Sequence, residues 1–314
     1  MSFAKWAILS AVVLGAMAGS VIPAPGQDAP ADRLQAQKWC VNQERAPLER
    51  QIAGCTSLIE AGKDPDSEIA IAFSNRGNAW RLKGEVDRAI ADYDQAIKRD
   101  PKLASAFVNR GSAYDAKGQY DRAIRDYDEA IKLDRRSAVA FNNRGFAYYS
   151  LGQHDRAITD FDEAIKLFPR YVAAFNNRGN AYRTKGQTDR AIRDFDQAIA
   201  LNPVSANAFS YRCLARAIAG QLEPALADCN DSLRLRPEDA ATLDRRALVQ
   251  LRRGRFDDAI ADYDAALKVS PNLAGALHGR GLARQKKGDN AGAEADMAAA
   301  KAIDGNIAQT FPKP

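Results

Sequence analysis

Four cysteines, Cys40, Cys55, Cys213 and Cys229, are the side chains best suited to covalent chemistry, and they fall into two couples of similar spacing. Thiols so placed can hold a metal, close disulfides or sit reduced in a core. Metal is disfavoured by the company they keep, because the sequence has only His154 and His278 as histidines and no C-x-x-C. An even count at matched separations suggests disulfides in an exported protein, each worth about 3 kcal/mol in the chain-entropy account; buried free thiols are the alternative. Recurring carboxylates such as Asp92 and Asp94 read as a solvated face plus a partner for arginine. No phosphate-binding glycine loop, nucleophile elbow or histidine pair at ligand spacing is present. The expectation is a protein that is not an enzyme and has no cofactor and no metal site.

Other rows recur at fixed spacing. Arg76, Arg110, Arg144, Arg178, Arg212, Arg246 and Arg280 are each followed sixteen places on by an aspartate: Asp92, Asp126, Asp160, Asp194, Asp228, Asp262 and Asp296. Both survive where neighbouring signature residues change, which predicts structural ion pairs; spacing leaves open whether they form within a unit or between units. One residue before each arginine stands Asn75, Asn109, Asn143 or Asn177, then Tyr211, Arg245 and Gly279. Asparagine is a mediocre helix former, roughly half a kcal/mol worse than alanine, so its repeated use needs a return. Its amide carries both donor and acceptor and can pair with a peptide backbone of any sequence, or with a neighbouring helix.

These rows need elements that hold register. The chain supplies a beat of 34 residues: Gly77, Gly111, Gly145, Gly179 and Gly281, with Cys213 and Ala247 on the two missing beats. A turn glycine follows in all seven units, from Gly84 to Gly288; then come a small residue (Ala89 onward), an aromatic or its replacement (Tyr93, Tyr127, Phe161, Phe195, Cys229, Tyr263, Met297) and another small residue. Pro101, Pro169, Pro203, Pro237 and Pro271 close most units; Arg135 and Gly305 replace the closing proline in two. Each unit therefore reads as two short helices broken at the glycine and stopped at the proline. Helices this short are marginal alone, so each pair must lean on the next.

This pattern resembles the tetratricopeptide repeat, and the match covers seven units: 70–103, 104–137, 138–171, 172–205, 206–239, 240–273 and 274–307. The resemblance implies an all-α fold, a right-handed superhelical solenoid of antiparallel helix pairs, and a partner that is another protein or peptide bound on the concave face. The asparagine row is similar to that of O-GlcNAc transferase, where such a ladder holds extended peptide. Carried over, the concave candidates are Asn75, Asn78, Asn109, Asn142, Asn143, Asn176, Asn177, Asn180, Leu214, Arg245, Leu248 and Leu282, although the leucines fit packing between units equally well. The family's lysine and asparagine clamp for chaperone tails is not reproduced: Ser74, Val108 and Asn142, and Ile71, Ser105 and Val139, stand where lysines are wanted.

The ends differ from the middle. Residues 1–26 have Lys5, an apolar run from Trp6 to about Ala18 and small, proline-rich residues after it. That is the layout of a secretory signal, cleaved after Ala18 or Gly26. The run is shorter than the roughly 20 residues of a spanning helix, so a permanent anchor is the second choice and no membrane span is expected after cleavage. Export, to a periplasm in a bacterium, is the expected localisation. Residues 27–69 read as a linker and a degenerate capping helix pair, with Pro47 at the first turn of its second helix. After residue 307 only a 308–314 tail remains, leaving the Ala-rich last helix as a weak self-association face; the alternative to a peptide-binding adaptor is a self-assembling structural array or a cell-envelope binding protein without a soluble peptide ligand. The 45 basic and 40 acidic residues are interleaved, so the net charge of +5 forms no obvious patch and nucleic acid is not an expected partner.

Overall fold

The computed structural model describes residues 30–43 and 45–311; the segment read as a signal, with Ala18 and Gly26, lies outside them. Among the described residues all regular structure is helical. An opening pair, α1 (Arg33–Cys40) and α2 (Leu48–Ala61), precedes seven longer pairs. These are α3 (Asp66–Leu82) with α4 (Val86–Arg99), α5 (Ala104–Ala116) with α6 (Tyr120–Leu133), and α7 (Ala138–Ser150) with α8 (His154–Leu167). Next come α9 (Val172–Thr184) with α10 (Thr188–Leu201), and α11 (Ala206–Ile218) with α12 (Leu222–Leu235). The last two are α13 (Ala240–Arg252) with α14 (Phe256–Val269), and α15 (Ala274–Lys286) with α16 (Asn290–Ile303). Each helix packs on its sequence neighbours, and first helices also touch the first helices of adjacent pairs. The result is an all-α solenoid of antiparallel pairs.

The turn glycines sit in the left-handed region, Gly145's neighbour turn at Gly152 having φ 73° and Gly84 φ 84°, where a side chain would be strained. The glycine of the repeat has a different reason. A Cβ on Gly145 would stand 2.7 Å from Cε1 of Phe161, so the two helices approach only because that carbon is missing. Tyr93, Tyr127, Phe161 and Phe195 are accordingly fully buried. In the fifth pair the same small-and-large couple is replaced by a disulfide between Cys213 and Cys229, both fully buried. Cys40 and Cys55 form a second disulfide that ties α1 to α2.

Pair six solves the problem a third way. Ala247 fills the site that glycine leaves open elsewhere, and the buried ring of Tyr263 lies instead over α15, where a Cβ on Gly279 would fall 2.2 Å from its hydroxyl. Ala247 and Gly279, in different pairs, are thus one packing decision.

Proline is not what ends the second helices. At Asp134 and Asp304, in the two units lacking it, the N–H closes on Ala130 and Ala300 at 2.8 and 2.9 Å, just as Asp100 closes on Ala96 at 2.9 Å. Pro47 stands one place before α2 begins, as its N-cap. Beyond α16 the chain forms a short helix, α17 (Ile307–Thr310), and Phe311 sets its ring edge-on to His278 at 5.1 Å. This piece packs on both α15 and α16, and Ala298, Ala299 and Ala302 on α16 stay exposed.

Candidate interaction surface

The arginine row is the frame on which the surface hangs. Every arginine from Arg76 to Arg280 makes two hydrogen bonds of 2.6 to 2.9 Å to the aspartate of its own pair. The remaining nitrogen reaches back. Arg110, Arg144, Arg178, Arg212 and Arg280 meet Asp94, Asp128, Asp162, Asp196 and Asp264 of the preceding pair at 2.5 to 2.7 Å. Arg246 uses Asn230 at 3.0 Å and Arg76 uses Thr56 at 2.9 Å. The question left by spacing is answered both ways at once. Bonds to Asp126 and Asp160 push Arg110 and Arg144 to still higher pKa values, keeping them charged.

A second cationic row was not singled out in the sequence. Arg88, Arg122, Arg156 and Arg190 lie over Trp80, Tyr114, Tyr148 and Tyr182 at 3.8 to 5.6 Å from the ring centres. The signal was a paired change: where the ring becomes Arg216 or Arg284, the covering arginine becomes Pro224 or Gly292. Those two arginines turn to Asp228 and Asp296 at 2.8 and 2.9 Å.

The ladder asparagines Asn75, Asn109, Asn143 and Asn177 are half-buried. Asn109, Asn143 and Asn177 bond across pairs. The Asn109 amide donates to Ser74 at 3.3 Å and that of Asn177 to Asn142 at 3.0 Å, in each case to the residue before the previous ladder position. Val108 cannot accept, and Asn143 turns to Ser112 at 3.3 Å while accepting from Asn142 at 3.1 Å. Arg245 continues the pattern with the Ser210 hydroxyl and lies over the Tyr211 ring at 5.3 Å. The amides therefore spend one N–H on the solenoid itself.

Other candidates are placed unequally. Asn78 and Asn180 are half-buried, and Asn78 accepts from the Tyr93 hydroxyl at 2.8 Å. Asn142 and Asn176 are buried; Asn142 serves the joint by accepting from Asn177, while Asn176 Oδ1 has no hydrogen-bond partner. Leu248, 4% exposed, is packing and not a contact surface; Leu214 and Leu282 are half-buried. Apolar side chains do reach solvent on the same first helices: Ile71, Val139 and Phe146 are 45, 48 and 42% exposed.

At the far end burial is the main cause of several shifts. Asp244 is pushed up to about 6, Arg245 is lowered, the Tyr263 hydroxyl is raised and His278 is lowered, each chiefly by loss of water. Among the described residues no cluster of histidine, cysteine or carboxylate could hold a metal, and no helix is long and apolar enough to cross a membrane.

A solenoid of stacked helix pairs carrying surface rows at one beat has the architecture of a repeat scaffold. Family models place it further: the TPR repeat matches residues 77–118, 111–152 and 247–288, and the tetratricopeptide repeat matches 138–171 and 172–203. The chain is a tetratricopeptide repeat protein with multiple repeats, a class that mediates protein–protein interactions and is generally not enzymatic. The match to the "APC/C hetero-tetramer Cut9-Hcn1" structure has 19% identity and a TM-score of 0.66, covering 80% of this chain and 52% of that one, about half its length. A tetratricopeptide repeat protein from Parabacteroides merdae gives 20% identity and 0.62, covering 75% of this chain and 93% of that one. The structure titled "Functional Characterization of Pseudomonas Aeruginosa pilF" gives 18% and 0.60, covering 68% and 97%. These likenesses extend to the fold. No curated protein matches the chain.

Proposed function

We propose that the protein is a non-enzymatic adaptor whose concave first-helix face holds an extended segment of a partner protein. One observation carries the reading: Asn75, Asn109, Asn143 and Asn177 recur at one place in four successive pairs and are half-exposed. Within the described residues the Oδ1 atoms of Asn109 and Asn177 accept no hydrogen bond. The interhelix N–H bonds fix the orientation of the Asn109 and Asn177 amides, and their free carbonyls face a backbone N–H of the guest. Exposed Ile71, Val139 and Phe146 supply apolar contact between them. The two disulfides support export, since such bonds persist in oxidising compartments.

The test removes the amides and keeps the helices. Asn109, Asn143 and Asn177 changed together to alanine leave the circular dichroism spectrum and melting temperature nearly intact and abolish capture of a cross-linked partner from the native cell. Unchanged capture refutes the reading.

A second reading is weak self-association through α16, favoured by the exposed Ala298, Ala299 and Ala302, which no helix covers as α15 covers α14.

A further inference from the structure

The ladder has a recurring bond, made at three steps; Asn143 turns instead to Ser112, and Asn176, before Tyr211, leaves its Oδ1 unpartnered. At those three steps the donor bonds to the residue before the previous ladder position: Asn109 to Ser74, Asn177 to Asn142, Arg245 to Ser210. At the last step the receiver is Asp244, but the donor position holds Gly279, which has no side chain. Asp244 Oδ1 is shielded from solvent and has no hydrogen-bond partner, and the Tyr263 hydroxyl that occupies the space of a Gly279 side chain has none either.

One turn earlier on α15 stands a second glycine. A Cβ on Gly275 would meet Asp244 Oδ2 at 3.6 Å and Oδ1 at 3.7 Å, and no other atom within 4 Å outside its own helix and chain neighbours. The same place in the other pairs holds Ile71, Ser105, Val139, Ala173, Asn207 and Ala241, all exposed. The space over Gly275 is therefore the solvent side of the first-helix face, and the Asp244 carboxylate lies directly beneath it. Arg245 does not close on this carboxylate; its bond goes to Ser210 and its face to Tyr211.

We propose that Asp244, left uncovered by the missing side chain of Gly275, is the floor of a recess in the concave face that takes one basic group, a lysine ammonium or an arginine guanidinium, from the bound segment. The proposal rests on the adaptor reading for its biological use. An ionised carboxylate only accepts hydrogen bonds, so the complementary ligand brings both N–H donors and positive charge. An uncompensated carboxylate drawn out of water gains from such a guest what the missing ladder donor does not supply.

The test uses the full chain and two blocked tripeptides, acetyl-Ala-Lys-Ala-N-methylamide and the same peptide with norleucine for lysine. Amide resonances of Gly275 and Gly279 shift with the lysine probe and respond at least about tenfold more weakly to norleucine. Asp244→Asn, of the same shape, and Gly275→Leu, which fills the recess, each abolish the response while the circular dichroism spectrum is unchanged. Equal response to both probes, no response at Gly275, or full binding by the Asp244→Asn variant overturns the proposal. Because the probe is a small peptide, the outcome is independent of whether partner capture depends on Asn109, Asn143 and Asn177.

Discussion

Arg178 Nη1 lies 2.6 Å from Asp162 Oδ1, a carboxylate of the preceding helix pair, while its other two donors hold Asp194 of its own pair at 2.9 and 2.6 Å. One guanidinium thus joins three helices, and the two carboxylates differ in setting: the Asp194 side chain is 7% exposed and that of Asp162 52%.

That difference sets unequal costs. Asp194→Ala leaves a half-buried guanidinium short of its bidentate partner and costs about 3 kcal/mol or more. Asp162→Ala removes an exposed carboxylate and costs no more than about 1 kcal/mol. Urea unfolding of the two variants checks the order; equal losses would show that the bond between pairs matters as much as the one within.

Reduction of the Cys213–Cys229 disulfide should lower stability by about 3 kcal/mol. The double variant Cys213→Gly, Cys229→Phe rebuilds the couple present at Gly179 and Phe195, and its melting temperature should show less dependence on a reducing agent than that of the native chain, which also keeps the Cys40–Cys55 disulfide. Equal sensitivity of both would mean that Cys213–Cys229 adds nothing beyond shape.

Asp244 gives a pH dependence of definite sign. Its folded pKa, pushed up to about 6 by burial, lies above the ordinary value near about 3.9, so the folded state holds the extra proton in between. Its contribution to stability is greatest below about pH 4 and is lost as pH rises through about 6. Asp244→Asn removes this loss, and the variant should gain roughly 1–3 kcal/mol on the native chain between pH 4 and pH 7. Denaturation across that range reads it directly; a variant that tracks the native curve contradicts the assignment.

If α16 joins copies, light scattering at tens of micromolar will show an oligomer that Ala299→Glu dissolves. A native monomer at that concentration removes the second reading.

The sequence carried the repeat because glycine, aromatic and alanine beats are one-dimensional facts: a Cβ at Gly145 collides with Phe161 wherever the chain is read. The arginine and aspartate rows were legible as partners for the same reason, but the third bond to Asp162 was not, since it depends on how one pair stacks on the next. Stacking also decides that Leu248 is buried and that Asn177 bonds to Asn142. The Ala247, Tyr263 and Gly279 arrangement was hidden most deeply, because its parts lie in two pairs and each looks alone like a lapse of the pattern. The glycine at 279 breaks the ladder in sequence and makes room for a ring in space.

The backward-reaching arginines give the solenoid a direction of growth. Each completed pair offers its successor a waiting acceptor at Asp94, Asp128, Asp162, Asp196, Asn230 or Asp264. At the corresponding place in the seventh pair stands Ala298. A further pair docked there would bring a guanidinium to a methyl group, so a copy that attaches at this face does so without the side-chain acceptor that the joints between the seven pairs possess.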